Sequence, residues 1–154
     1  MKQLQGFLQS IGAENLFREE ELIRINNKRF IASAKLSSEI NRRDRLVYAG
    51  MFLGKTKNVW EPSTILLRLI AVQPYVHKVW VDDSSAWLFV CGRDIFSEHI
   101  LKHSPDLVEG VNYLIMLDDD CLGYARFEKF QDKLILKNLY DIGDFLRREK
   151  WREE

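Results

Sequence analysis

The 154-residue sequence predicts an α+β protein made of two small domains, residues 1–76 and 77–154. Three observations support this class. An apolar stripe at helical spacing opens the chain, short β-rich runs separated by turn residues follow in both halves, and Gln73-Pro74-Tyr75 interrupts the chain near its middle. We therefore expect a small N-terminal α/β domain with an antiparallel sheet, followed by a compact mixed β-barrel with a closing helix.

The N-terminal domain is predicted to begin with a helix that ends at Gly12. The apolar residues of this helix recur at intervals of three and four, on one face: Leu4, Phe7, Leu8 and Ile11. An asparagine-rich turn at 26–29 separates two predicted strands, since asparagine tolerates the left-handed conformations of tight hairpins. The elements predicted in this half are strands Leu22–Ile25, Phe30–Ala34, Leu46–Gly54 and Thr64–Val72, and a helix at Ser37–Arg43.

The C-terminal domain is predicted to contain several short strands between turn residues. These are Lys78–Val81, an extended segment from Asp94, and Gly110–Leu117, Leu122–Phe127 and Leu134–Leu136. A helical segment at Ser84–Phe89 is expected to have Asp83 or Ser84 as its N-cap. A terminal helix is expected from Asp141 to Arg148, with acidic residues near its start and arginines further along.

Charge is distributed unevenly along a chain whose net charge is zero. Residues 1–76 carry 12 basic and 7 acidic side chains, a net +5, and residues 77–154 carry 11 and 16, a net −5. Any surface that binds nucleic acid must therefore be a local patch. The apolar runs are too short to cross a bilayer, and the first residues lack a signal-peptide core. Cys91 and Cys121 are interpreted as reduced, mostly buried thiols of a cytoplasmic protein.

The sequence offers three weak candidates for metal or catalytic chemistry. Asp118–Asp120 could hold a divalent cation, but consecutive turn residues point in different directions, and a solvated turn is favoured. His99 and His103 have the spacing of a helical zinc pair, although Ser104-Pro105 ends any helix there, and a loop or surface position is favoured. Cys91 with His99 lacks an orienting group for nucleophilic catalysis. We therefore expect no metal, no cofactor and no enzymatic activity.

The four tryptophans are candidate base-stacking residues. Trp80 and Trp87 follow the apolar pattern of their strand and helix, so core packing is favoured for both. Trp60 and Trp151 lie beside charged residues, and their roles stay open.

Two sets of basic residues are candidates for RNA contact. Arg126, Lys129, Lys133 and Lys137 lie on two consecutive predicted strands, and if these are neighbours, four cations could line one groove for single-stranded RNA. The alternative is that they are ordinary solvated charges on alternating strand faces. The second, denser set is Arg42, Arg43, Arg45, Lys55 and Lys57. It fits either a solubilising helix face or a second contact with rRNA or an acidic partner.

The order of features in the second half resembles the PUA domain of RNA-modifying enzymes and their partners. The residues that carry this resemblance are Lys78–Asp82, Ala86, Leu88-Phe89, Gly92–Phe96, and the acidic hairpin that leads into Leu122-Gly123. Three further segments resemble the Nip-seven family of ribosome-biogenesis proteins: Phe52–Lys55, Lys78–Val81 and Lys137–Arg148. The short length and compact turns are more similar to an archaeal than to a eukaryotic member.

The resemblance implies a non-catalytic factor in large-subunit pre-rRNA maturation. Such a factor binds uridine-rich or AU-rich single-stranded RNA through its PUA domain, and its partners in the family include an rRNA methyltransferase and the exosome. Lys133 and Lys137 match the family's basic positions, whereas Leu134 and Tyr140 stand where archaeal relatives tend to have basic residues. Tyr140 could instead stack on a base.

The leading hypothesis is thus an RNA-binding assembly factor, monomeric and cytoplasmic, or nucleolar in a eukaryote. The rival hypothesis is a protein–protein adaptor whose PUA domain has little intrinsic RNA binding. The acidic second half and the departures at Leu134 and Tyr140 motivate this alternative.

Overall fold

The structure is a computed structural model that describes residues 2–33, 35–36 and 50–144. It divides into two compact units. The first unit consists of Met1–Gln9 and Ala13–Ile70, and the second of Ser10–Gly12 and Ala71–Glu154. Each unit contains its own sheet.

The first unit contains a four-stranded antiparallel sheet, as predicted. Its described elements are helix α1 (Lys2–Ser10), strands β1 (Leu22–Ile25), β2 (Lys28–Ile31), β3 (Met51–Thr56) and β4 (Trp60–Pro62), and helix α2 (Thr64–Ala71). The strands follow one another in sequence order across the sheet, and Asn26 has the positive φ of 53° that the predicted β1–β2 turn requires. The predicted apolar stripe of α1 is buried, and Phe30 of β2 and Leu53 of β3 are also fully buried.

The strand predicted at Thr64–Val72 is wrong, because the structure has helix α2 there. The hydroxyl of Ser63 accepts a hydrogen bond from the Leu66 backbone N–H at 3.0 Å, which is the contact of an N-cap. The buried residues Leu66, Leu67 and Ile70 then fall on one helical face. Capping and burial together outweigh the β-propensity of the run.

The second unit contains a curled six-stranded sheet of mixed direction, in agreement with the predicted fold class. Its strands are β5 (Lys78–Val81), β6 (Ile95–Phe96), β7 (Ile100–Ser104), β8 (Asn112–Leu117), β9 (Asp120–Phe130) and β10 (Lys133–Asp141). Their order is β6-β10-β9-β8-β5-β7, with β5 and β8 parallel and every other pair antiparallel. Helix α3 (Asp83–Val90) contributes Ala86 and Phe89 to the apolar core that one sheet face covers.

Several predicted boundaries differ from the structure. Strands β9 and β10 are longer than predicted, and Asp141 closes β10 instead of starting a helix. His103 lies on β7, so it cannot form a helical pair with His99. The predicted helix at Ser37–Arg43 and most of the terminal helix lie outside the described residues. Within the described ranges, no helix is long and apolar enough to cross a membrane.

The predicted environments of Trp87 and Cys91 are wrong. Trp87 is 69% exposed, because α3 turns Ser85, Ala86 and Phe89 towards the core and leaves Trp87 on the opposite face. Trp60, whose role was left open, is only 5% exposed. Cys91 is an exposed thiol, not a buried one, whereas burial raises the pKa of the Cys121 thiol to about 12. Trp151 lies outside the described residues.

The N-cap of α3 is Asp82, one residue before the predicted candidates. Its carboxylate accepts hydrogen bonds from the Ser85 N–H at 2.7 Å and the Ser84 hydroxyl at 3.1 Å. His99 Nδ1 lies 3.3 Å from the second carboxylate oxygen. These bonds, led by the one from Ser85, lower the pKa of Asp82 to about 2 because they favour the charged form.

Asp82→Ala should lower the melting temperature near neutral pH, since it removes this cap. A carboxylate whose folded-state pKa is depressed stabilises the fold above its unfolded pKa of 3.8, and that contribution is lost as pH falls through about 2. The difference in melting temperature between the variant and the wild type should therefore shrink as the pH is lowered from about 4 to about 2. Circular dichroism measures both melting temperatures. Asp83→Ala, the neighbouring exposed acid, is the control. A difference in melting temperature that stays constant down to about pH 2 would contradict stabilisation by the ionised Asp82 carboxylate.

Candidate nucleic-acid interface

Strands β9 and β10 bring three of the predicted RNA-binding residues to one sheet face. Lys137 pairs with Arg126 and Lys133 pairs with Phe130 in the antiparallel register. Directly opposed residues share a face, and residues two apart along a strand do as well. Arg126, Lys133 and Lys137 are all exposed, on the face opposite the buried pair Leu136 and Phe127. We call the sheet face that carries these cations the outer face.

Lys129 does not join these cations. It pairs with Leu134 and therefore lies on the other side of the sheet, although it is exposed there. The two strands are neighbours, as the predicted groove required, but the outer face carries only three of the four predicted cations.

Tyr140 reaches the outer face because β10 has a bulge. The register shifts between Asn138 and Tyr140, so that Tyr140 lies opposite Tyr124. The two rings are stacked, with centroids 6.4 Å apart and planes 24° apart. Burial raises the pKa of Tyr124 to about 12. Tyr140 thus already has one aromatic neighbour, and a base could use only its remaining surface.

The bulge is held by Asn138 and by Gly123. The Asn138 backbone N–H donates to Asp94 Oδ1 at 2.9 Å, and its side-chain amide donates to the Phe89 carbonyl at 2.9 Å and to Asp141 Oδ2 at 3.1 Å. On the facing strand, Gly123 has a φ of +147°, and a Cβ there would overlap the carbonyl oxygen of Tyr140. The positions of Lys137 and Tyr140 therefore depend on Asn138 and Gly123.

The three cations differ in their local partners. Lys137 Nζ lies 3.8 Å from Glu128 Oε1, and Arg126 Nε donates to Asn112 Oδ1 at 3.4 Å. Lys133 Nζ lies 5.4 Å from the centroid of the Phe96 ring, within the range of a cation–π contact. No carboxylate of the described residues forms an ion pair with Lys133 or Arg126, so both charges are less compensated than that of Lys137.

Sequence reasoning missed two aromatic residues beside these cations. Phe96 is 46% exposed and Phe130 is 56% exposed. Phe96 pairs with Ile135, and Phe130 with Lys133, so both belong to the outer face. A signal was available for Phe130, since strict alternation from Arg126 through Glu128 places it on the charged side of β9. Phe96 offered no such signal, because β6 has only two residues.

The second predicted basic patch is described only in part. Arg42, Arg43 and Arg45 lie outside the described residues. Lys55 Nζ lies 3.6 Å from Glu61 Oε2 on the adjacent strand, and Lys57 is exposed between β3 and β4. Among residues 2–33, 35–36 and 50–144, no group of three or more metal-ligating side chains is arranged to hold an ion.

Comparison with known proteins supports the PUA resemblance. Residues 77–150 match the family model described as the UPF0113 PUA domain. A UPF0113 protein from Archaeoglobus fulgidus is 30% identical over 82 residues, which cover 48% of this chain and 47% of that protein. The chain thus spans about half the length of the curated relative it matches. A PUA domain suggests RNA binding, and the outer face lies within the matched residues.

One solved structure resembles the fold of nearly the whole chain. It is the crystal structure of a hypothetical protein from the hyperthermophilic archaeon Pyrococcus horikoshii OT3, with a TM-score of 0.51 and 10% sequence identity. The alignment covers 92% of this chain and 90% of the other. At this identity the likeness concerns the fold alone, and it agrees with the α+β class.

Proposed function

We propose that the chain binds single-stranded RNA through the outer face of its second unit and has no catalytic role. The observation that carries this proposal is that the exposed side chains of Arg126, Lys133 and Lys137 share one sheet face of a unit that matches a PUA domain. Phosphate neutralisation by such cations supplies most of the sequence-independent affinity for nucleic acid. The RNA site that we propose comprises Arg126, Lys133 and Lys137, with Tyr140 at the bulged end of β10, and leaves out Lys129.

The finer part of the proposal rests on the resemblance to the Nip-seven family. It comprises a role in large-subunit biogenesis and pre-rRNA processing, a preference for uridine-rich or AU-rich RNA, and an archaeal source with a cytoplasmic location. The partners would be pre-rRNA and either an rRNA methyltransferase or an exosome component. The N-terminal domain predicted at residues 1–76 would dock such a partner or a flanking RNA helix through its basic residues, including Lys57.

The test is fluorescence anisotropy with uridine-rich and cytidine-rich oligonucleotides of equal length. Lys133→Glu combined with Lys137→Glu should weaken binding of the uridine-rich strand by about tenfold or more, because two phosphate contacts become repulsive. The matched single variants Lys133→Glu and Lys129→Glu carry the same charge change on opposite faces. Lys129→Glu should change the affinity by less than about twofold. An unchanged affinity in the double variant would reject the outer face as the RNA site.

A second candidate function, the protein adaptor, is favoured by the net charge of −5 on residues 77–154 and by the Glu128 partner of Lys137. Pull-down from cell extract with and without RNase separates the two. An adaptor keeps the methyltransferase or exosome partner after RNase treatment and lacks affinity for the oligonucleotides, whereas an RNA-dependent association is lost.

A further inference from the structure

Two exposed aromatic rings stand on either side of Lys133. Phe96 lies on the edge strand β6 and Phe130 at the end of β9, with β10 between them. Both rings are about half exposed, at 46% and 56%. Single exposed apolar residues are common on proteins and need no explanation. Here, however, two aromatic residues share one face with a cation between them, and that combination is typical of single-strand binding surfaces.

The register fixes how these three side chains are arranged. Phe96 is opposite Ile135, and Phe130 is opposite Lys133, two residues back along β10. Two inter-strand spacings and one two-residue step place the Cα atoms of the two phenylalanines roughly 12 Å apart. Lys133 lies on β10, the strand between those of the two phenylalanines, and its ammonium lies over the Phe96 ring, 5.4 Å from the centroid.

We propose that Phe96 and Phe130 form a base-stacking platform, with one unpaired base on each ring and an intervening phosphate on Lys133. This inference rests on the proposed RNA binding and adds to it which part of the RNA is recognised. The ligand is a flexible single strand, since bases in a duplex are stacked on each other and do not offer their faces. Every base has an aromatic face, so the platform tolerates any sequence.

The charges nearby favour a nucleic acid over an apolar protein segment. Lys133, Lys137 and Arg126 follow one another on the same face within two strands. A polyanion with flat apolar groups matches a face that carries both cations and aromatic rings, whereas an apolar peptide would leave the Lys133 ammonium without a partner.

The experiment separates the bases from the phosphates. Anisotropy is measured with a uridine-rich oligonucleotide and with an abasic ribose-phosphate strand of the same length, at one fixed salt concentration. The variants are Phe96→Leu with Phe130→Leu, which keeps apolar bulk but removes the rings, and Phe96→Tyr with Phe130→Tyr, which keeps the rings. Leu134→Ala, an exposed apolar residue of the other face, is the matched control. Thermal unfolding verifies that each variant is folded.

The leucine pair should bind the uridine-rich strand about tenfold more weakly and the abasic strand as the wild type does. The tyrosine pair and Leu134→Ala should retain wild-type affinity for both strands. Wild-type binding of the uridine-rich strand by the leucine pair would overturn the platform. In that case the proposed RNA binding through the outer face is retained if the Lys133→Glu, Lys137→Glu double variant still loses affinity. If the double variant also binds as the wild type does, both the platform and the proposed function are rejected. A loss of protein capture by the leucine pair, with RNA binding unchanged, would also overturn the platform.

Discussion

Gly123→Ala is expected to lower the free energy of unfolding of the second unit by about 3 kcal/mol or more. The φ of +147° at Gly123 is rarely adopted by residues with a side chain, and the added Cβ would overlap the Tyr140 carbonyl oxygen and lie 2.8 Å from the Asp141 Cα. Both obstacles are backbone atoms of β10, which cannot rotate away as a side chain could. Relief requires the two strands to separate at the bulge. Urea denaturation followed by circular dichroism measures the loss.

Gly110→Ala provides the control for backbone conformation alone. Gly110 has a φ of +84°, and a Cβ there would meet nothing within 4 Å. The substitution should therefore lower the free energy of unfolding by about 1–2 kcal/mol, which is the cost of the left-handed conformation alone. Equal losses in the two variants would show that the close approach of β9 and β10 contributes little, and would contradict the structural role assigned to Gly123.

Asn138→Ala should have the next largest effect, about 2–3 kcal/mol of unfolding free energy. The side-chain amide bridges α3, β10 and Asp141 through its bonds to the Phe89 carbonyl and to Asp141 Oδ2. Asp141 is only 2% exposed, so a lost donor to its carboxylate is poorly replaced by water. The same urea experiment measures this loss.

Two further variants distinguish the loss of the Asn138 amide hydrogen bonds from the general effect of a surface substitution. Asp119→Ala, in the exposed β8–β9 turn, should change stability by less than about 0.5 kcal/mol. Asn138→Asp would place a second carboxyl beside Asp141, so its deficit should exceed that of Asn138→Ala at neutral pH and shrink on acidification. An Asn138→Ala variant as stable as the wild type would mean that residues of β9 alone hold the bulge.

The strands that sequence patterns predicted best are those with clear turns beside them. Lys78–Val81 has the predicted bounds, and Asn26 and Asp118 supply the positive φ angles of the two tight turns. Thr64–Val72 failed because a short apolar run has no period that distinguishes a strand from a buried helix. Trp87 failed for a related reason, since α3 is apolar on nearly all sides and its pattern does not say which face is buried.

The candidate site was predictable where strand pairing is local. The hairpin between β9 and β10 could be anticipated, and it does bring Lys137 beside Arg126. Alternation along β9 already separates Lys129 from Arg126, which lies three residues away. Which of the two shares a face with Lys137 depends on the register, and the position of Tyr140 depends on a bulge, neither of which residue composition encodes. Phe96 joins the face through an edge strand that lies 39 positions before its partner Ile135, and no short-range pattern reports a contact at that separation.

The ion pair between Lys137 and Glu128 has a consequence for how many small cations and anions RNA binding exchanges with the solvent. A lysine that neutralises a phosphate normally displaces a condensed cation from the nucleic acid, and each such event steepens the dependence of affinity on salt. The charge of Lys137 is already balanced by Glu128 at 3.8 Å. A phosphate that replaces Glu128 beside Lys137 therefore leaves the Glu128 carboxylate without its cation, and a cation from solution has to compensate it. The number of contacts deduced from a salt titration will then be smaller than the number of cations that touch the RNA.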